Sequence, residues 1–377
     1  METGSLEAGI IENRRATLRR VISQKDAPAL TDSFAEATQR YETEVRTAFG
    51  PWLDEAALDE KHEKMRKSAF LFLRATCYRW ANEAPSLCGE LAHLTPTPSV
   101  GDAHAGNFGL WRDAEARLVW GVNDFDEAAL VPWPFDLVRL GASLLLAIDG
   151  VSADDIADIL IGGYEKGLDL PCPYVLERGH VWLRDAFAAS DDDREHFWSE
   201  FDKAAAEARN PANFTAPLRA ALGAAQGIKI FRRSAGAGSL GRPRFAAVGQ
   251  LHGGPIAYEI KGSLPSVWTT GPRQALAATI AAGPYRSPDP TLTYTLDHVI
   301  RRLAPDNRKL DFDKLKANLR GQLATAMARE LASIHLGGIE ASVISNELNA
   351  LPPSWLKRAI TLVADWTQTE WRSYRKQ

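Results

Sequence analysis

Between about residues 30 and 80, apolar residues recur every three to four positions among Lys, Glu and Arg: Leu53, Ala56 and Ala57, then Met65, Phe70, Phe72 and Leu73. That period predicts amphipathic helices. Three prolines between Pro85 and Pro98 predict a break. Leu118 to Val122 is a short apolar run that predicts a strand ending at Asn123-Asp124. After a loop punctuated by Pro132 and Pro134, a strongly apolar helix is expected over Phe135 to Ile148. Ser190 followed by Asp191, Asp192 and Asp193 has the form of a helix start, with an N-cap serine and an acidic first turn. Ala204 to Gly227 reads as loosely packed helix or linker.

The texture changes at Ile228. Lys229 to Phe231, Phe245 to Val248 and Ile256 to Ile260 read as strands separated by Gly-rich turns. Helical spacing returns with Leu315, Leu319, Leu323, Met327, Leu331 and Ile334. A last helix, about Trp355 to Tyr374, carries three tryptophans expected to pack a core face. No internal repeat is evident. The order is helical, then β, then helical. It suggests an α+β protein with segments 1–227, 228–305 and 306–377.

Of 377 residues, 45% are hydrophobic and 24% charged, which suits a soluble globular protein. A net charge of −4 lacks the basic footprint of a nucleic-acid binder. Cys77, Cys88 and Cys172 form no metal-ligand pairs and fit a reducing compartment. The first 20 residues carry Glu2, Glu7, Glu12 and four arginines, without a signal-like apolar stretch. No window approaches the ~20 apolar residues of a membrane span. A cytoplasmic protein without nucleic-acid or membrane partners is expected.

The most informative chemistry is Gly101-Asp-Ala-His-Ala-Gly-Asn107-Phe-Gly109, followed by Asn123-Asp-Phe-Asp-Glu127. Phosphoryl transfer needs a carboxylate to orient and deprotonate the acceptor hydroxyl, and oxygen ligands that hold magnesium against phosphates. Asp102, an amide five positions on at Asn107, and Asp124 at a strand end provide that set. The D-x-x-x-x-N spacing is that of the kinase catalytic loop, and Asp124-Phe125-Asp126 follows where a metal-binding D-F-G would. Either motif alone is an ordinary turn with Asx hydrogen bonds. Their succession points to a site, in which His104 either orders the loop or takes part, and Asp126 and Glu127 bind metal, support it or are solvated. Two-metal phosphoesterases also begin with G-D-x-H, but none of the eight histidines lies in the further motifs they require.

Gly236-Ala-Gly238-Ser239-Leu-Gly241 is a G-x-G-x-x-G. A dinucleotide site would place a helix next; here a strand follows, and the strand after it ends in Lys261. Strand, glycine turn, strand and lysine is the kinase small-lobe pattern, in which the turn covers the phosphates and the lysine pairs with them. No glutamate lies between Glu259 and Glu330, so the usual Lys–Glu ion pair has no local candidate. Asp289, Asp297 or a distant residue is left to hold Lys261.

G-D-x-H-x-x-N with N-D-F-D resembles the aminoglycoside phosphotransferase form of the kinase loop, and Pro134-Phe-Asp136-Leu137 resembles the stretch in which an aspartate braces that loop. With Lys61 to Arg74, Pro132 to Leu140 and Gly236 to Lys261, the chain resembles the bacterial family called domain of unknown function 2252, over roughly residues 50 to 375. The resemblance implies a bilobal protein-kinase-like fold: a mainly helical large lobe with a small β-rich lobe inserted late, in circularly permuted order. Thr293 to Arg301 would be the strand leading to the hinge, and the helix ending at His335 would dock beside Asp102. The function implied is an ATP- and Mg2+-dependent phosphotransferase acting on an unknown small-molecule or protein hydroxyl. In it Asp102, His104 and Asn107 are catalytic, and Asn107, Asp124 and Asp126 are metal-binding. Gly236, Gly238, Ser239, Gly241 and Lys261 hold the nucleotide. A kinase-shaped nucleotide-binding module without turnover, or a nucleotidyl transferase, uses the same residues.

Overall fold

A computed structural model describes residues 32–206, 211–234, 238–268, 273–308 and 316–376. The chain opens with four helices, α1 (Phe34–Phe49), α2 (Glu55–Lys67), α3 (Ala69–Ala75) and α4 (Cys77–Cys88). Ser33, Asp54 and Ser68 each cap the first N–H groups of the helix that follows. The break expected between Pro85 and Pro98 falls at Gly89, four residues after the first of these prolines. Pro85 lies in the last turn of α4, where its missing N–H costs one ladder bond, and the helix stops at Gly89 with φ +53°.

Next come β1 (Pro96–Ser99), β2 (Phe108–Arg112), β3 (Leu118–Val122) and β4 (Ala129–Pro132). The first pairs antiparallel with the fourth, and the second with the third. The β1–β2 and β3–β4 connections, residues 100–107 and 123–128, therefore leave neighbouring strands side by side. Helix α5 (Pro134–Ala147) starts with proline in its first turn, and α6 (Ala153–Asp169) follows. Strand β5 (Tyr174–Val175) adds to β3; α7 (Val181–Phe187) and α8 (Asp191–Lys203) come after it. Ser190 caps α8 as expected, and Asp193 reaches back to it to complete a capping box. The open reading of Ala204 to Gly227 resolves to α9 (Ala212–Leu222) within the described part.

Strands β6 (Gln226–Arg232), β7 (Arg244–Leu251), β8 (Gly254–Gly262), β9 (Thr293–Tyr294) and β10 (His298–Leu303) form one antiparallel sheet in the order β6-β7-β8-β10-β9, with α10 (Arg273–Ala281) between β8 and β9. The single strand expected over Thr293 to Arg301 is instead a hairpin. Thr295 Oγ1 accepts from His298 N and donates to His298 O, which closes the turn. Side chains alternate across β8 with the strand period of two. Ile260 packs with Phe214 and Leu218 of α9, while Ala257 packs with Phe231 and Phe201 on the other face, the face that also carries Glu259 and Lys261.

Helices α11 (Ala317–His335), α12 (Ala341–Ala350) and α13 (Trp355–Tyr374) complete the main core. The helical pattern expected from Leu315 starts at Ala317 within the described residues; Leu315 lies outside them. Gly163 and Gly167 let α6 approach α11 closely, since a Cβ on either would press on Thr325 or Ala332. Of the three tryptophans in α13, Trp355 is buried and stacks edge-on against Trp133, as expected for a core face. No described helix is long and apolar enough to cross a membrane.

Candidate active site

Both acidic loops are held by buried side chains. Asp136, in the first turn of α5, accepts hydrogen bonds from Val100 N (2.7 Å) and Gly101 N (3.0 Å) and lies 3.3 Å from His335 Nε2. The N–H groups at a strand end have no ladder partner, and a carboxylate with 1% exposure supplies one. His335, the last residue of α11, is itself fixed by Tyr164 through Nδ1 (2.7 Å). The helix ending at His335 thus docks against the brace of the Asp102 loop.

One turn beyond Asp136, Arg139 lies on the same side of α5 and is buried to 1%. Its Nε and Nη2 reach Asp102 Oδ1 at 2.7 and 2.5 Å, and Nη2 also donates to Leu73 O. Burial pushes the Asp102 carboxyl above its ordinary range, Arg139 pulls it down and Asp124 adds to the rise. His104 Nδ1 accepts from Gly106 N (3.1 Å), so the ring orders the loop, and its Nε2 stays 3.9 Å from Asp102 Oδ2.

Asn107 ties the two loops together. Its Nδ2 donates to Asp102 O (3.3 Å) and Asp124 O (3.0 Å), while its backbone O accepts from Asn123 N. The Asn107 Oδ1 is buried and has no hydrogen-bond partner. Buried amide oxygens are rarely left that way, and an oxygen-seeking cation is a fitting partner.

Asp126 and Glu127 are buried and paired, so the solvated alternative is excluded. Asp126 Oδ2 is 2.8 Å from Lys261 Nζ and 3.0 Å from Arg242 Nη1, while Glu127 Oε2 accepts from Val267 N. Lys261 also approaches Asp124 Oδ2 at 3.5 Å. The lysine's partner is therefore an aspartate 135 positions earlier in the chain, neither Asp289 nor Asp297. Phe125 is clamped by Arg286, whose guanidinium lies 4.8 Å from the ring while pairing with buried Glu330 and donating to Val122 O.

Part of this set borders a cavity of about 380 Å³ between the acidic loops and the five-stranded sheet; Lys261 is not among its lining residues. Asp102, His104, Asn107, Asp124 and Asp126 line it, with Gly238 and Ser239 opposite and Leu303, Ala304, Pro305 and Asn307 along one wall. Ser239 Oγ accepts from Arg244 Nη2. Gly241, with φ +92°, does not line the cavity and offers its carbonyl to Asp54 N; Gly236 lies outside the described residues. Above Lys261, Glu259 gathers Arg233, Arg244 and Arg301, all of which reach the cavity. Though buried, Glu259 is held far below the usual carboxylate range by those three cations. Arg139, Arg242, Arg286, Glu259 and Glu330 were not singled out in the sequence.

Residues 53–169 match a family model described as uncharacterized protein conserved in bacteria (DUF2252). The matched stretch runs from the start of α2 to the end of α6 and includes both acidic loops, Asp136 and Arg139, so it supports the resemblance read from those motifs. The five-stranded sheet lies beyond it. No curated protein and no solved structure matches the chain.

Among the described residues no cluster of three or more His, Cys, Asp or Glu forms a preformed metal centre. Magnesium needs none. It is commonly held by one or two carboxylates with the phosphates of its substrate. The buried, unbonded Asn107 Oδ1, tied through its own amide to the Asp124 backbone, fits that donor set.

Proposed function

We propose that this cavity is the site of an ATP- and magnesium-dependent phosphotransferase, built on a bilobal kinase-like fold whose small β-rich lobe is inserted late in the chain. The observation that carries the reading is the buried Asn107 Oδ1 without a hydrogen bond, beside Asp124 and on the same loop as Asp102. Asn107 and Asp124 would hold Mg2+, which when bound neutralises charge on the phosphates. Lys261, already at the acidic loop, and the Gly238-Ser239 turn would meet those phosphates. Asp102 would accept the proton of the acceptor hydroxyl as its oxygen bonds to the γ-phosphorus; the bond from phosphorus to the bridging oxygen breaks and ADP leaves. Burial raises the basicity of Asp102 for that role, and Arg139 fixes its orientation. Asp126 would act indirectly, by holding Lys261 and Arg242.

A second reading is a nucleotide-binding module without turnover. The Arg139–Asp102 ion pair favours it, because a guanidinium-bound carboxylate is a weaker base. Calorimetry of purified protein with Mg-ATP, followed by mass spectrometry of products across an acceptor panel, separates the readings. The phosphotransferase reading expects magnesium-dependent binding that Asp124→Ala weakens. It also expects a product heavier by one phosphate, lost in Asp102→Ala with binding retained. Binding without product supports the module, an adenylate-sized gain means nucleotidyl transfer, and absence of magnesium-dependent binding refutes both first readings.

A further inference from the structure

The cavity is rich in arginine, and nearly all of it is spoken for. Arg233, Arg244 and Arg301 converge on Glu259, Arg242 on Asp126 and Glu127, and Arg308 on Asp193. Arg74 differs. Among the described residues it makes no hydrogen bond and no ion pair, and its Nε is buried without a partner. It lines the cavity together with Asp102, and burial pulls its pKa down while the Asp102 charge opposes that.

The guanidinium is flanked by a ring and by a backbone turn. Its Cζ lies 5.5 Å from the centre of the Phe70 ring. It also meets the 105–107 turn, where a Cβ on Gly106 would stand 3.0 Å from Cζ and 3.2 Å from Nε. Glycine at 106 is what lets the backbone pass so near. Arg74 lines the cavity and makes no hydrogen bond among the described residues, and a planar fork of donors suits an oxyanion such as phosphate or carboxylate. Asp102 offsets part of the cost of burying this guanidinium but forms no ion pair with it, so its donors beside the cavity are left to a ligand.

We propose that Arg74 binds an oxyanion beside Asp102, supplied either by the γ-phosphate of the nucleotide or by an anionic group on the acceptor. This rests on the phosphotransferase reading for its two sources but not for the anion itself. The test is calorimetry on the full chain with magnesium, comparing the parent with Arg74→Met and Arg74→Lys. Three probes are used: a non-hydrolysable ATP analogue, ADP, and inorganic phosphate added to ADP-loaded protein. If the γ-phosphate is the source, Arg74→Met loses about tenfold or more in affinity for the ATP analogue and none for ADP. If the acceptor is the source, the analogue and ADP bind as before and phosphate binding is lost. In either case Arg74→Lys, which keeps the charge without the fork, falls between and stands in for Arg74→Met should the latter unfold. Unchanged affinities throughout, equal losses for all three probes, or no binding of phosphate and analogue by the parent overturn the proposal. Arg74-dependent phosphate binding in a protein that takes no nucleotide would keep it and refute the phosphotransferase reading.

Discussion

Replacing Asp136 by asparagine tests how the Asp102 loop is held. The carboxylate accepts from two buried backbone N–H groups at 2.7 and 3.0 Å, with His335 as a further neighbour. Asparagine keeps the shape but only one accepting oxygen; its amide nitrogen would face an N–H, leaving a buried donor unmet. A hydrogen bond to a charged group contributes about 1.5–3 kcal/mol, and an unmet buried donor costs about 1–3 kcal/mol. Losing one such bond and weakening the other to a neutral one destabilises by about 3 kcal/mol. At about 2.1 cal/mol/K of unfolding entropy per residue, a 377-residue chain then melts about 4 °C lower. Differential scanning calorimetry reads the midpoint, and the Mg-ATP binding proposed for the site reads the loop itself, which should weaken because Gly101 directly precedes Asp102. An Asp136→Asn protein with the parent midpoint and parent nucleotide affinity would refute the brace.

Gly101→Ala should lower stability by about 2–4 kcal/mol, measured by urea unfolding, because φ there is +74° and an added Cβ would fall onto the Glu127 carbonyl oxygen. Glu259→Gln should destabilise by about 3–5 kcal/mol by stranding three arginines around a neutral amide. The same carboxylate sets a pH dependence. Its pKa is depressed on folding, so its contribution is full above the unfolded glutamate value of about 4.3 and is lost as pH falls below it. The parent should lose stability through that window, and Glu259→Gln should lose less; identical slopes would count against the cluster.

The acidic loops were legible because their chemistry is local: Asp102 and Asn107 lie five positions apart and Asp124 ends a strand of five apolar residues. The strand pattern over β6 to β8 and the helix start at Ser190 were legible for the same reason. What was missed acts over distance. Arg286 and Glu330 reach β3 from far along the chain, and nothing in their neighbours announces it. Arg139 does carry a signal, since it sits three positions after Asp136 and so on the same side of one helix. Glu259 had one too: two positions from Lys261 on a strand means one shared face. The partner of Lys261 is the distant residue that the sequence leaves unspecified, Asp126 of the acidic loop. Thr295 closed a hairpin where a continuous strand was expected, a turn made by one hydroxyl that no periodicity reveals.

The contact between Asp136 and His335 joins residues 199 positions apart. Ribosomes add about 5–20 residues per second, so roughly 10–40 seconds separate the emergence of the two side chains. During that interval the loop has its aspartate, yet the imidazole beside it and the α11 surface that packs on α6 do not exist. A nascent chain carries an unfinished brace, completed only after residue 335 has been added and its helix has docked. Synthesis itself is thus a timer on the brace.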